Sequence, residues 1–348
     1  MLSSAVLILL ASLVLCAEVV SSHSNSIPSP EKTCLSRHLV VLCHGLSGTS
    51  EDLYYLSESL SAAGATVFRS AANSKLSSFN GVKEGAEKLV EEINALVKSD
   101  SFNEISFVGN SLGGLYARYA VHLLTNSSQK KIAGLKPSRF VLIASPSLGV
   151  RNFTYVDDMD LYVPDILKRS VAYVMRASGQ DLFATDAPLM RDSLLYKMAV
   201  HESFLAPLRL FEKRLLYANL NNDFVVPLGT AGFMHREQVI ALRKEFEGRP
   251  GIVHTLTVPP NPSYSAEALP KDTDPLSHMI EGLNSCGWEK RIVNFPGLIP
   301  YAHNKICALN RSLYGPLNDL FAEGQFVMDD ASRYICSSVD SKEVVASA

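Results

Sequence analysis

The sequence predicts an α/β fold, a mostly parallel central sheet with helices on both faces and a helical insertion. Three observations carry this reading. Short apolar runs alternate with longer helix-like stretches from about residue 30 onward. The runs are continuous rather than alternating, as strands covered on both faces are. One stretch, about 150–210, breaks the rhythm between two such runs with mixed, helix-rich sequence.

The elements follow in order. "HLVVLCHG" (38–45) is an apolar run ending in His-Gly, and "ATVFRSAA" (65–72) is a second strand. "GVKEGAEKLVEEINALVKSD" (81–100) carries apolar residues at 82, 86, 89, 90, 93, 96 and 97, the spacing of an amphipathic helix. "EISFVG" (104–109) is the third strand, and "SLGGLYARYAVHLLTN" (111–126) is a helix with small residues in its first turn. "RFVLIASPSLG" (139–149) is the fourth strand. "RLLYANLNNDFVVP" (214–227) returns to strand followed by loop, "GIVHTLTVPP" (251–260) is another strand, and "WEKRIVNFPG" (288–297) is the last. "NKICALNRSLY" (304–314) opens a helix.

Composition sets bounds. Of 348 residues, 47% are hydrophobic and 19% charged, which suits a large core and argues against disorder. A net charge of -3 with no polybasic run suggests neither a nucleic-acid partner nor an anionic membrane surface. At the N-terminus, "SAVLILLASLVLCAEVV" is too short for a spanning helix and reads as a signal peptide or anchor over 1–22. Val20 and Ser22 are small enough for cleavage before His23, although no Lys or Arg precedes the run. A polar linker (23–35) and one α/β domain (36–348) follow. A cleaved signal implies the secretory pathway, secreted or lumenal; an uncleaved one implies membrane association. Cys16 lies inside the signal-like run, leaving five cysteines and therefore an odd thiol in a monomer. No Cys or His spacing fits zinc, and no metal or cofactor is expected.

The chemistry concentrates in "FVGNSLGG" (107–114). A bare Gly-x-Ser-x-Gly pattern is weak, but here it follows a strand and opens a helix. That is the setting of a nucleophile elbow, where Ser111 sits exposed on a tight turn. Gly109 and Gly113 relieve clashes with neighbouring backbone, and Gly114 lets the helix approach the sheet. The turn aims the Leu112 N–H at a developing oxyanion. The plain alternative is a tight turn without catalysis. "LCHGLSG" ends the earlier strand, where a His-Gly pair supplies a second oxyanion N–H in α/β-hydrolases. Leu46 is the first candidate donor and Gly45 the second, and His44 then shapes the loop and need not be the base.

A serine needs a base, and the base needs a carboxylate. In this fold the order is Ser, acid, His. Asp223 leaves the end of a strand and fits the acid; Asp181, Asp186 and Asp192 lie in the insertion and fit worse. Among nine histidines, His303 lies after the last strand, and His278, before that strand, ranks second.

At this point the motifs resemble a family. "LVVLCHGLSGTSEDLYYL", "FVGNSLGGLYARYA", "ASGQDLFATD", "RLLYANLNNDFVVPLGT" and "AHNKIC" stand in the order found in the lipase-like serine esterases of eukaryotes. That group includes yeast lipid-droplet phospholipases and monoacylglycerol lipases. The resemblance covers about residues 36–310. It implies an α/β-hydrolase fold and a triad on Ser111, Asp223 and His303. It also implies hydrolysis of acyl esters in lipids, with contact to a membrane or lipid-droplet surface. Asn110 stands where many relatives have His, and the signal-like run is not a general family feature. The same triad would serve acyl transfer or thioester hydrolysis, and a non-catalytic lipid- or protein-binding role is the reading from another class. The sequence leaves oligomeric state open.

Overall fold

The computed structural model describes residues 37–153, 165–268, 270, 272–297 and 301–337. The signal-like run, the linker and part of the expected insertion lie outside them.

Seven strands form one sheet. They are β1 (His38–Cys43), β2 (Thr66–Arg69), β3 (Glu104–Asn110), β4 (Lys136–Ile143), β5 (Lys213–Asn219), β6 (Gly251–Val258) and β7 (Trp288–Asn294). Their order is β2-β1-β3-β4-β5-β7-β6. Every neighbouring pair is parallel except β7 with β6.

The continuous apolar runs now have a cause. In β1, Leu39, Val41 and Cys43 enter one hydrophobic cluster while Val40 and Leu42 enter the other. A side-chain period of two therefore demands apolar residues at every position when both faces are covered. Strand β6 lies at the sheet edge and is half-exposed, which is where its polar His254, Thr255 and Thr257 fit.

Helices α1 (Tyr54–Ala62), α2 (Val82–Ser99) and α3 (Gly113–Leu124) follow β1, β2 and β3. Helix α2 buries Val82, Ala86, Leu89 and Ile93, the stripe its spacing predicts. Each fully buried Leu or Ile contributes about 1.5–3 kcal/mol. Between β4 and β5 the described residues form α4 (Asp165–Val174), α5 (Arg176–Leu182), α6 (Leu194–Val200) and α7 (Glu202–Arg209). Then come α8 (Leu228–Gly232), α9 (Arg236–Glu245), α10 (Pro275–Asn284), α11 (Ala302–Lys305), α12 (Leu317–Phe321) and α13 (Gln325–Cys336).

One element differs from expectation. The helix predicted to open at residue 304 is only the four-residue α11, followed by turns. Ala308 takes a left-handed φ of 47°, and the Leu309 N–H turns back to the Asn304 carbonyl. Helix α13 covers the same face as α1, with Val327, Met328, Ala331 and Ile335 buried there. The sequence reading had not singled it out.

The fold also fixes where a site belongs. Helix α1 packs in one hydrophobic cluster and α3 in the other. Their parent strands β1 and β3 are neighbours, so the two connections leave in opposite directions. That leaves a crevice at the carboxyl ends of the strands.

Candidate active site

Four loops meet at that crevice, each from the carboxyl end of a parallel strand. They carry His44 to Leu46 after β1, Ser111 after β3, Asp223 after β5 and His303 after β7.

The turn between β3 and α3 is only two residues, Ser111 and Leu112. Ser111 has a φ of 52°, a left-handed conformation that costs a non-glycine residue about 1–3 kcal/mol. Its N–H donates to the Ile143 carbonyl at 2.9 Å, and its carbonyl accepts from the Gly114 N–H at 3.0 Å. The flanking glycines are a matter of space. A Cβ on Gly109 would lie 2.3 Å from the Gly114 Cα, and one on Gly113 would lie 2.2 Å from the Cys43 carbonyl oxygen. On Gly114 it would meet the Ser145 Oγ at 2.2 Å, so α3 approaches the sheet through backbone alone.

Ser111 Oγ lies 3.0 Å from His303 Nε2, and His303 Nδ1 lies 3.0 Å from Asp223 Oδ2. The carboxylate can only accept, so Nδ1 carries the proton and Nε2 is left to accept from the serine hydroxyl. Asp223 is buried, with 4% exposure, and its oxygens are all satisfied. Oδ2 also accepts from Asn219 Nδ2 at 2.7 Å, and Oδ1 accepts the N–H groups of Val225 and Val226 at 3.1 and 2.7 Å. Those donors keep a buried carboxylate affordable to the fold and fix its rotamer. The backbone bridge between Asp223 and Tyr301 holds the Asp223 loop beside the His303 loop.

Leu46 and Leu112 both line the cavity at Ser111, and among the described residues neither N–H has an acceptor. His44 is buried, with Nδ1 3.0 Å from the Gly45 carbonyl and Nε2 without a partner among the described residues. Burial lowers its pKa, so it is a neutral part of the loop. Gly45 stands against the serine; a Cβ there would be 2.7 Å from Ser111 Cβ. Asn110 lines the cavity and donates to the Ile143 carbonyl at 3.3 Å.

The other candidates have structural work elsewhere. His278 is buried in α10 and is held by Arg191, Tyr196 and the Pro270 carbonyl. Asp181 accepts the Val82 N–H and Asp186 the Leu194 N–H, so both satisfy helix N-termini.

The cavity holds about 340 Å³, within the range of small-molecule sites. One part of its wall is apolar: Val150, Phe153, Met175, Leu182, Phe183 and the Phe224–Val226 run. Another part is polar, with Asp52, Asn304, Arg311 and Tyr314. Three features of the site are not identified as such by the sequence: Asn219 behind Asp223, and the Asp52–Arg311 pair and Cys307 in the cavity wall. Asn219 did leave a signal, standing four residues before Asp223 in the Tyr-Ala-Asn piece. Cys307 is a buried thiol, as are Cys43 and Cys286, while Cys336 is disulfide-bonded.

Comparisons with known proteins agree in kind. The family model described as "Putative serine esterase (DUF676)" matches residues 35–235. The chain is 30% identical to "Putative lipase ROG1" of Saccharomyces cerevisiae over 267 residues, 73% of this chain and 37% of that protein. It is 28% identical to "Putative lipase YDL109C" of the same yeast over 275 residues, 75% of this chain and 40% of the relative. The chain thus spans well under half the length of these relatives. Among solved structures, Est1E from Butyrivibrio proteoclasticus is similar with a TM-score of 0.40 and 13% identity. That match covers 87% of this chain and 88% of the other. The lin2722 gene product of Listeria innocua is similar with a TM-score of 0.41 and 10% identity, covering 86% and 94%.

Proposed function

The chain belongs to the DUF676 serine esterase family, and from that premise we propose that it hydrolyses carboxylic esters of lipids through Ser111, His303 and Asp223. The observation that carries this reading is the continuous hydrogen-bonded line from Ser111 Oγ through His303 to Asp223, both links at 3.0 Å.

The steps follow from the geometry. His303 Nε2 takes the Ser111 proton as Oγ attacks the ester carbonyl. Asp223 holds the imidazole in the required tautomer and stabilises its charge. The N–H groups of Leu46 and Leu112 receive the oxyanion, the largest catalytic contribution expected. His303 then gives its proton to the departing alkoxide, leaving an acyl-serine. A water molecule, deprotonated by His303, releases the carboxylic acid and restores Ser111. The apolar wall, Val150 to Phe183 with Phe224–Val226, suits an acyl chain. Val150, Phe153, Met175, Leu182 and Phe183 come from the segment between β4 and β5, which supports reading that segment as a cap over the site. The disulfide at Cys336 supports an oxidising compartment, in keeping with a cleaved signal peptide. The alternative, an uncleaved anchor, would place the same lipid chemistry at a membrane or lipid-droplet surface.

The test is a labelling reaction. Parent protein and Ser111→Ala are treated with a fluorophosphonate and assayed on p-nitrophenyl esters. Labelling and turnover in the parent, both lost in Ser111→Ala, support the reading. A folded parent that neither labels nor turns over, even in detergent, overturns it.

A further inference from the structure

The "ASGQDLF" piece (177–183) takes no part in the chemistry above, yet it makes a buried polar junction. Ser178 and Ser78 have no exposed surface, and Asp181 is 8% exposed. Ser178 Oγ donates to the Ser78 carbonyl at 2.6 Å and accepts the Gly81 N–H at 2.9 Å. Asp181 Oδ2 accepts the Val82 N–H at 2.7 Å. Two side chains one helical turn apart on α5 thus satisfy the first N–H groups at the start of α2, which has no cap of its own.

The same junction reaches the site from two more directions. Tyr116 of α3, the helix that starts behind Ser111, donates its hydroxyl to the Ser78 carbonyl at 2.8 Å. Ser78 Oγ accepts the Ser47 N–H at 2.8 Å, one residue beyond Leu46. Meanwhile Leu182 and Phe183, directly after Asp181, form part of the apolar wall. The Leu182 carbonyl also accepts the Val150 N–H at 2.7 Å, holding a third wall residue.

We propose that Ser178 and Asp181 are positioning residues that fix the acyl wall of the cavity to the catalytic core, and so set the preference for acyl-chain length. This rests on the esterase reading. Most of the wall is carried by a segment inserted between two strands, whose ends are tied down by Leu148 N–H to Thr230 Oγ1 and by Arg118 to the Met198 carbonyl, while Ser178 and Asp181 tie down the helix that leads into Leu182 and Phe183. A buried junction with full hydrogen bonding allows one arrangement of α5 rather than several. Leu182 and Phe183 then stand at a defined distance from Ser111, where a long acyl chain meets them and a short one does not.

The experiment compares parent, Ser178→Ala, Asp181→Leu and Asp181→Asn, each with its melting temperature. Each is assayed on p-nitrophenyl esters from acetate to palmitate. The parent is expected to favour long chains. Ser178→Ala and Asp181→Leu should lower the long-to-short ratio of kcat/KM at least tenfold. Asp181→Asn keeps an acceptor oxygen for Val82 and should restore the parent ratio. If Asp181→Leu does not fold, Ser178→Ala carries the test, since it removes two hydrogen bonds and almost no volume. A purely structural junction would lower the melting temperature and all esters in parallel; that result, or a parent with no chain-length preference, overturns the proposal. Failure of the esterase reading is read separately, as a parent that neither labels with fluorophosphonate nor cleaves even the acetate.

Discussion

Arg311 and Asp52 lie 259 residues apart in the chain and meet in a two-point ion pair in the cavity wall, Nε to Oδ1 and Nη2 to Oδ2, both at 2.6 Å. Asp52 is 2% exposed and also accepts the N–H and hydroxyl of Thr49. Arg311 reaches the Tyr314 hydroxyl at 2.7 Å and lies over that ring. The pair thus joins the loop after β1, which carries Leu46, to the segment after His303. Removing Arg311 alone strands a buried carboxylate. Arg311→Met should cost about 3–5 kcal/mol in urea unfolding. Adding Asp52→Leu should recover most of that loss, and a double variant no more stable than Arg311→Met would show the pair is not the source.

In the proposed triad Asp223 acts through His303, so its removal should spare the fold while disabling the base. Asp223→Asn should lower kcat by about 10⁴-fold, by favouring the wrong imidazole tautomer. Circular dichroism and KM should change little. A loss under tenfold would remove Asp223 from the proposed triad.

The left-handed backbone of Ser111 yields a test that needs no substrate. Alanine at this position suffers the same strain as serine, whereas glycine does not. After the entropy cost of glycine, Ser111→Gly should be more stable than Ser111→Ala by about 1 kcal/mol. Denaturant midpoints measure this. Equal stabilities would mean the turn carries no strain.

Lys290 is buried, with 2% exposure, and its ammonium donates to the Gly232 carbonyl at 2.7 Å. Burial alone lowers its pKa to about 7. In the unfolded chain the pKa returns to about 10.4. Between these values the unfolded chain binds more protons, so this group makes stability rise with pH from about 7 to about 10. Buried tyrosines and thiols with raised pKa values act oppositely, so the difference from Lys290→Met is the useful quantity. Parent minus variant stability should increase across that window, and a flat difference would contradict the burial argument.

Asp181 gives the opposite slope. Burial raises its pKa to about 6, and the neighbouring Asp186 adds to the rise against the Val82 hydrogen bond. The folded chain then holds the proton more tightly, so this carboxyl lowers stability as pH rises from about 4 to about 6. Asp181→Asn should abolish that part of the slope and raise the melting temperature at neutral pH. Thermal melts at pH 4, 5, 6 and 7 read both effects.

Much of the fold was legible because its causes are local. Continuous apolar runs marked strands covered on both faces, and the stripe at 82, 86, 89 and 93 marked α2. Ser111, Asp223 and His303, which the fold brings into hydrogen-bonding distance, were each legible from a position after a strand, since this kind of sheet gathers side chains at its strand ends. The short α11 was misjudged because the turn at Ala308 comes from its packing, not from a Gly or Pro the sequence could display. Helix α13 went unnoticed for want of a motif, though its stripe of Val327, Met328, Ala331 and Ile335 was present.

The sequence by itself determined the succession of strands, the helices after β2 and β3, the Gly-flanked serine and the chain order of Ser111, Asp223 and His303. Periodicity, turn chemistry and spacing are properties of neighbouring residues, so they are written along the chain. The tertiary structure alone decided that Asn219 steadies Asp223, that Arg311 answers Asp52, and that Ser178 and Asp181 cap a helix some 97 to 99 residues earlier. Each of those contacts joins groups brought together only when the sheet closes around its core, and burial then makes an unmet hydrogen bond or charge costly enough to fix the arrangement.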